Sequence, residues 1–266
     1  MPSAISLVTL LTDFGDVDYF VPSMKGVMLG INSQLRMIDL THHIPASGVE
    51  QAAFFLKSCY QYFPDGTVHV VVVDPGVGSS RRALLASTSR HFFLAPDNGV
   101  LSYVLQEETA VEVRSIENKQ YRLDSAGATF DGRDLFAPSA AWLTKGQVPG
   151  SYGRLIRDYV TLPHDPPRMH QQVLQGRIVY IDHFGNAITN ITMADLETFR
   201  SVTKNEYSGV KIGAVVIKGM KTHYGEGATG LPEALINSNG QLEIFIKQGR
   251  AVDRCELHAG QMVEVS

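Results

Sequence analysis

Cysteine is scarce in this chain: Cys59 and Cys255 lie far apart and outside any CxxC pair. That excludes a disulfide framework and a thiolate metal site, and leaves both as small core residues. Charge of one sign is equally short. Twenty-three basic and 27 acidic residues give a net charge of −4, so there is no global positive field to hold a polyanion, and nucleic acid is not expected as a partner. No run of roughly 18 uncharged apolar residues occurs anywhere. The opening MPSAISLVTLLTDFG has no basic segment and reaches Asp13 before an apolar stretch is long enough for export. The expectation is a soluble, cytoplasmic protein with no membrane partner. Motifs of several enzyme classes are also missing. The nine histidines form no HExxH or other ligand spacing, no GxSxG elbow occurs, and GVGSSR at 76–81 lacks the spacing of a phosphate loop. No bound metal is expected.

What is present is an ordinary globular composition: 266 residues, 44% hydrophobic and 19% charged, enough for one large domain or two modest ones. The first half alternates strand-like bursts with helical spacing. SLVTLL at 6–11 reads as a strand delivering Asp13 to its C-terminal end. Val21, Met24, Val27, Met28 and Ile31 suit a helix over 19–30, and RMIDL at 36–40 is the next strand. A second helix is predicted over 48–62, followed by TVHVVVV at 67–73, an apolar β-branched run of the kind buried on both faces of a parallel sheet. The burst HFFLAPDNG repeats the pattern. Ligands of parallel α/β sheets bind beyond the carboxyl ends of the strands, which places Asp13, Asp74 and Asp97 suitably.

Between 158 and 172 the texture changes: DYVTLPHDPPRMHQQ carries three prolines and no apolar period. The fold expected is α/β. It comprises an N-terminal α/β domain with a largely parallel sheet (1–160), a linker (161–172) and a smaller, barrel-like antiparallel β-domain (173–266) whose strands include GRIVYID, AITNITM, GVKIGAVVIKG, QLEIFIK and MVEVS.

Three polar segments could carry chemistry. In DPGVGSSRR, Arg81 lies close enough to Asp74 to hold its carboxylate ionised and oriented. In ATFDGRDLFAPSAAWL, Asp134 reads as a helix cap, whereas Asp131 sits between an aromatic residue and a bare glycine backbone. In VYIDHFGNAITNI, Asp182, Phe184 and Asn186 surround a glycine, either as a plain β-turn or as a carboxylate, an aromatic face and an amide suited to a nucleoside or amino-acid ligand.

Together, TDFGxxDxxVxxxKG at 12–26, VVDPGVGSxRR at 72–82, APDNGxL at 95–101, TFxGRDxFAP at 129–138, IDxFGNxITNI at 181–191 and NSNGQLEI at 237–244 resemble the S-adenosyl-L-methionine (SAM) hydroxide adenosyltransferases. These are SAM hydrolases related to the SAM-dependent fluorinase and chlorinase. The resemblance implies hydrolysis of SAM to adenosine and methionine by attack of water or hydroxide at C5′. SAM is then the substrate, and no cofactor is needed. It further implies a homotrimer with substrate between one subunit's N-domain and its neighbour's C-domain. Asp13 would grip the ribose hydroxyls, with Ser47, after HHIPA, in the ribose wall. Asp182 would take the methionine ammonium, Asn186 the adenine, Phe184 an apolar wall, and Ser238, with Asn239 alongside, the methionine carboxylate.

The hydrolases surround the attacking water with an Asp, Arg and His trio. Asp74 and Arg81 match the first two, but the family's TFHGRD reads TFDGRD here, so Asp131 stands where histidine is expected. Halogen-using relatives carry an aromatic residue at the position of Asp74, and a halide here would meet repulsion from Asp74 and Asp131. The alternative from another class is a SAM- or adenosine-binding protein whose turnover is weak or lost with the histidine.

Overall fold

The computed structural model describes residues 6–203 and 208–266, so the opening MPSAI lies outside it. The chain forms two compact units that meet in sequence at Pro163 and His164. The first carries β1 (Leu7–Thr12), α1 (Phe20–Ile31), β2 (Arg36–Thr41), α2 (Val49–Cys59), β3 (Val68–Val72), β4 (Ala83–Ser87), β5 (Phe92–Pro96), α3 (Ser102–Glu107), β6 (Glu112–Ser115) and α4 (Ala137–Thr144). Its sheet runs β2-β1-β3-β5-β4-β6, the first four strands parallel, with β4 and β6 turning the far edge antiparallel.

The apolar strands are buried on both faces because helices cover both. On β3, Val68, Val70 and Val72 join the cluster under α1 and α4, while Val71 and Val73 point to the opposite cluster with Ala52 and Leu56 of α2. Sequence alternation thus becomes a three-layer sandwich. The helix expected over 48–62 is shorter, because after Cys59 the chain tightens into a 3₁₀ turn at Tyr60–Tyr62.

Two histidines are almost wholly enclosed in this unit, His69 and His91, 0% and 1% exposed. Thr9 Oγ1 lies 2.7 Å from His69 Nδ1, and the His69 ring stacks on Phe93 and sits 5.2 Å from His91. Burial, and then the neighbouring His91, hold His69 down to about 3; burial and the Arg90 charge lower His91 against weaker opposing pulls from Asp65 and Glu108. An unfolded histidine takes a proton near pH 6.5, whereas folded His69 does not until far lower. Stability is therefore whole above pH 6.5 and falls as pH drops toward 3, with His69 alone accounting for a loss of about 2 kcal/mol at pH 5. Urea unfolding at neutral pH and at about pH 5 reads this directly. The difference is expected to shrink in His91→Leu.

The strand pairs of the second unit are all antiparallel. Its strands are β7 (Arg168–His170), β8 (Val173–Ile181), β9 (Ala187–Thr192), β10 (Gly209–Ile212), β11 (Val215–Lys218), β12 (Pro232–Ile236), β13 (Gln241–Ile246) and β14 (Met262–Val265), with α5 (Met193–Thr203) and α6 (Ala251–Arg254). The path is β11-β10-β14-β8-β9-β13-β12, and β11 packs against β12, so the sheet nearly closes. β7 pairs with β8 off this path. α5 was not foreseen; it inserts Leu196 and Phe199 beneath the sheet.

Candidate active site

Strand register places Asp13, Asp74, Arg81, Arg82 and Asp97 along one edge of the first unit's sheet. β1 and β3 are paired in parallel with Thr12 opposite Val72, so Asp13 and Asp74 leave the same end of the sheet. β4 runs the other way, with Ala83 opposite Pro96, so Arg81 and Arg82 enter where Asp97 leaves.

At this edge Arg81 bridges two carboxylates. Its Nε donates to Asp74 Oδ1 at 3.1 Å, and its Nη2 donates to Asp74 Oδ2 and, at 2.5 Å, to Asp131 Oδ2. The Asp74 side chain is 4% exposed and that of Asp131 13%. The Gly76 N–H also donates to Asp74 Oδ1, at 3.2 Å. Burial alone would lower the Arg81 pKa; the hydrogen bond and charge of Asp74, then Asp131, outweigh it and raise it. Arg81 therefore stays charged and fixed, with its guanidinium 5.7 Å from the Phe136 ring centre.

Asp131 reaches Arg81 because its neighbours are packed. Phe130 meets Phe14 and Phe20 with ring centres 5.9 and 5.1 Å apart, and a Cβ on Gly132 would approach Phe130 and the Met24 sulfur to about 3 Å. Phe14 follows Asp13, so one aromatic cluster spaces both acidic turns. Asp134 does not cap the helix. Its carboxylate is gripped by Arg133 at 2.6 and 2.9 Å within a π-helical turn over Gly132–Phe136.

The Asp13 carboxylate accepts the Ser47 N–H at 3.0 Å. Ser47 is held at φ 63°, a left-handed conformation that costs a non-glycine residue energy and so marks a constrained loop. Behind this pair, Thr12 Oγ1 lies 2.9 Å from His42 Nδ1 and the His42 carbonyl accepts the Gly15 N–H at 2.7 Å. Asp39 Oδ1 sits 3.1 Å from His42 Nε2, and Lys25 lies 2.5 Å from Asp39. The lysine of the TDFGxxDxxVxxxKG motif thus braces the turn that bears Asp13. Burial would raise the Asp39 carboxyl, but the hydrogen bonds from Lys25 and His42 hold it below the usual carboxylate range.

The other candidates lie in the second unit. Asp182 receives the Asn186 N–H at 2.8 Å and its Nδ2 at 3.2 Å, closing a turn around Gly185. Gly185 is required there: its φ is +81°, and a Cβ would come within 2.8 Å of Arg250 Cβ. The turn leaves Phe184 71% exposed. Ser238 and Asn239 sit exposed on the turn between β12 and β13. Asn237 folds that turn, its Oδ1 accepting the Asn239 and Gln241 N–H groups at 3.0 and 3.1 Å. Asn237 is in turn fixed by Glu243, a carboxylate only 2% exposed that also accepts the Tyr224 hydroxyl at 2.7 Å. Burial and the Glu243 charge push the Tyr224 hydroxyl up, so it remains a donor.

Glu243 was overlooked in the sequence because it sits inside an apolar strand, QLEIFI; a carboxylate on an inward-facing strand position was the available signal. Replacing it with alanine orphans Tyr224 and Asn237 and is expected to cost about 3 kcal/mol, read as a lower urea midpoint.

Among the described residues, no group of three or more side chains is placed to hold a metal ion, and no helix is long and apolar enough to cross a membrane. The two units match two domain families. Residues 8–153 match the SAM hydroxide adenosyltransferase N-terminal domain and residues 176–264 its C-terminal domain. A Thermus thermophilus protein named (R)-S-adenosyl-L-methionine hydrolase is 32% identical over 97% of this chain and 98% of its own length. A fluorinase from Actinoplanes is 25% identical over 98% of this chain and 97% of its own. The crystal structure of an uncharacterized conserved protein from Thermotoga maritima superposes with a TM-score of 0.88 at 32% identity, covering 97% of this chain and 99% of the other.

Proposed function

Because this chain belongs to the SAM hydroxide adenosyltransferase family in both of its units, we propose that it hydrolyses SAM to adenosine and L-methionine. The observation that carries the proposal is the Arg81 guanidinium bridging the two shielded carboxylates of Asp74 and Asp131 at the carboxyl edge of the sheet. Water attacks C5′ in line with sulfur. The C5′–O bond forms as the C5′–S bond breaks, methionine leaves as a neutral thioether, and the water's proton passes to a base and then to solvent. A neutral leaving group needs no acid, so the site has only to orient water, accept a proton and exclude bulk solvent. Asp74 is the base and Arg81 fixes it. Asp131 orients the same water.

Substrate binding divides as follows: Asp13 with Ser47 for the ribose, Asn186 for adenine, Phe184 as an apolar wall, Asp182 for the ammonium and Ser238 with Asn239 for the carboxylate. Support comes from the constrained loop holding Asp13 against Ser47 and from the Asn237–Glu243 brace beneath Ser238. The hydrolase relative's name specifies the R configuration at sulfur, which makes (R)-SAM the substrate to test first. The assembly proposed is a homotrimer with substrate shared between neighbouring copies, supported by the bare Phe184 ring. The place of action proposed is the cytoplasm, where SAM is used. No cofactor takes part.

A halide in place of water would face two carboxylates, an arrangement that repels it. Incubation with SAM in halide-free buffer is expected to give adenosine and methionine in equal amounts, and added fluoride or chloride is expected to give no 5′-halo-5′-deoxyadenosine. One observation favours a second reading: Asp131 replaces the family's histidine and occupies part of Arg81. SAM bound tightly in calorimetry without product over hours would establish a binding protein instead.

A further inference from the structure

The APDNGVL segment at 95–101 holds the chain on both sides of the Asp74–Arg81 pair. Asn98 Nδ2 donates to the carbonyl of Val73, the residue before Asp74, at 2.8 Å, while Asn98 Oδ1 accepts the Val100 N–H at 3.2 Å and so fixes its own rotamer. Asp97, whose side chain is 4% exposed, accepts Arg82 Nε at 2.8 Å and forms an ion pair with its Nη2 at 2.7 Å, and Arg82 is the residue after Arg81. The Asp97 N–H donates to the Arg82 carbonyl at 2.9 Å, and its second carboxylate oxygen takes the Val160 N–H at 2.7 Å. Both carboxylate oxygens and the N–H of this aspartate are thereby engaged within the scaffold.

We propose that Asp97 and Asn98 are positioning residues that lock the Asp74–Arg81 pair in its working geometry, Asn98 by pinning the end of β3 and Asp97 by pinning the start of β4. The physical need is specific. The loop between the two, 74–82, is exposed through Gly78, Ser79 and Ser80; its own turn bonds and the Asp74–Arg81 pair close it, but they do not set where its two ends sit on the sheet. β5 lies between the end of β3 and the start of β4 and pairs with both, and Asp97 and Asn98 are the residues that leave β5 and extend that grip to the loop ends. Arg82, beside the functional Arg81, is therefore a structural arginine, which accounts for two consecutive arginines with different tasks. The proposal rests on the hydrolase reading only for its effect on rate; the geometry stands apart from it.

The test uses Asn98→Asp in the full chain. This variant keeps the size and the acceptor but turns the donor facing the Val73 carbonyl into a second acceptor, and it touches neither Asp74 nor Arg81. The Arg81 Nε–H resonance, assigned by its loss in Arg81→Lys, reports the bond to Asp74. It is expected to shift or broaden in Asn98→Asp, and kcat to fall about 10-fold with KM for SAM unchanged within about twofold, because a displacement of tenths of an ångström affects the reacting groups more than binding. Asp97→Asn, read the same way, serves if Asn98→Asp does not fold. An Arg81 resonance unmoved in a folded variant overturns the proposal, whatever the rate does. Absence of adenosine from the unmodified protein would instead strike the hydrolase reading, and the resonance would still decide the brace.

Discussion

Replacing Asp74 with alanine is expected to slow adenosine formation about 10³-fold while leaving SAM binding within a few-fold of the unmodified protein. The loss is large because Asp74 is the most shielded carboxylate of the cluster and the only one held at both oxygens, by two nitrogens of Arg81 and by the Gly76 N–H. A carboxylate so oriented presents one lone-pair direction to a water, and nothing else on that strand end can replace it. Binding is spared because the groups proposed for ribose, adenine and methionine lie elsewhere, on the 13–15 turn and in the second unit. Rates by chromatography and affinity by calorimetry separate the two effects. A variant that retains its rate would remove Asp74 from the chemistry.

Asp131→His is expected to act in the opposite direction, raising turnover about 10²-fold with SAM binding preserved. At present Arg81 offers one nitrogen, Nη2, to both Asp74 and Asp131, so two negative charges share a single positive one. Two carboxylates near one water repel each other, and part of the guanidinium that would orient Asp74 is spent holding Asp131. A histidine at 131 removes the second negative charge and returns Arg81 to Asp74. It also supplies a neutral base of ordinary pKa near the working pH. The turn can present the new ring because its position is set by Phe130 and Gly132 rather than by Asp131 itself. An unchanged rate would show that Asp131 already does what histidine does, and the two-carboxylate argument would fall.

Much of this was legible in the chain because the deciding signals are local. A β-branched run such as VHVVV bounded by turn residues reads as a strand buried on both faces, and it ends just before Asp74. The proximity of Asp74 and Arg81 followed from their separation by a glycine-rich loop. Asp131 joining them followed only from the family resemblance and not from local spacing, because it depends on Phe130 packing against Phe14 and Phe20, a contact across more than a hundred residues of chain. Asp134 was misread as a cap because its neighbour Arg133 claims both carboxylate oxygens, an interaction that competes with backbone N–H groups and that spacing alone does not weigh. Helix α5 was missed because its apolar face is only Leu196 and Phe199, although TMAD at 192–195 carries the reciprocal side-chain and backbone bonds of a helix start, Thr192 with Asp195. The braces at His42 and Asn98 were out of reach for a common reason: each holds the chain next to a functional residue, and its type is unremarkable at its own position.

The central claim is that water attacks C5′ of SAM, and incubation of the protein with SAM in ¹⁸O-enriched, halide-free water tests it most directly. One ¹⁸O atom is expected in the 5′-hydroxyl of the adenosine released, with none in the methionine and with the signal lost in Asp74→Ala. Adenosine free of label, or SAM that stays bound and intact, would contradict it.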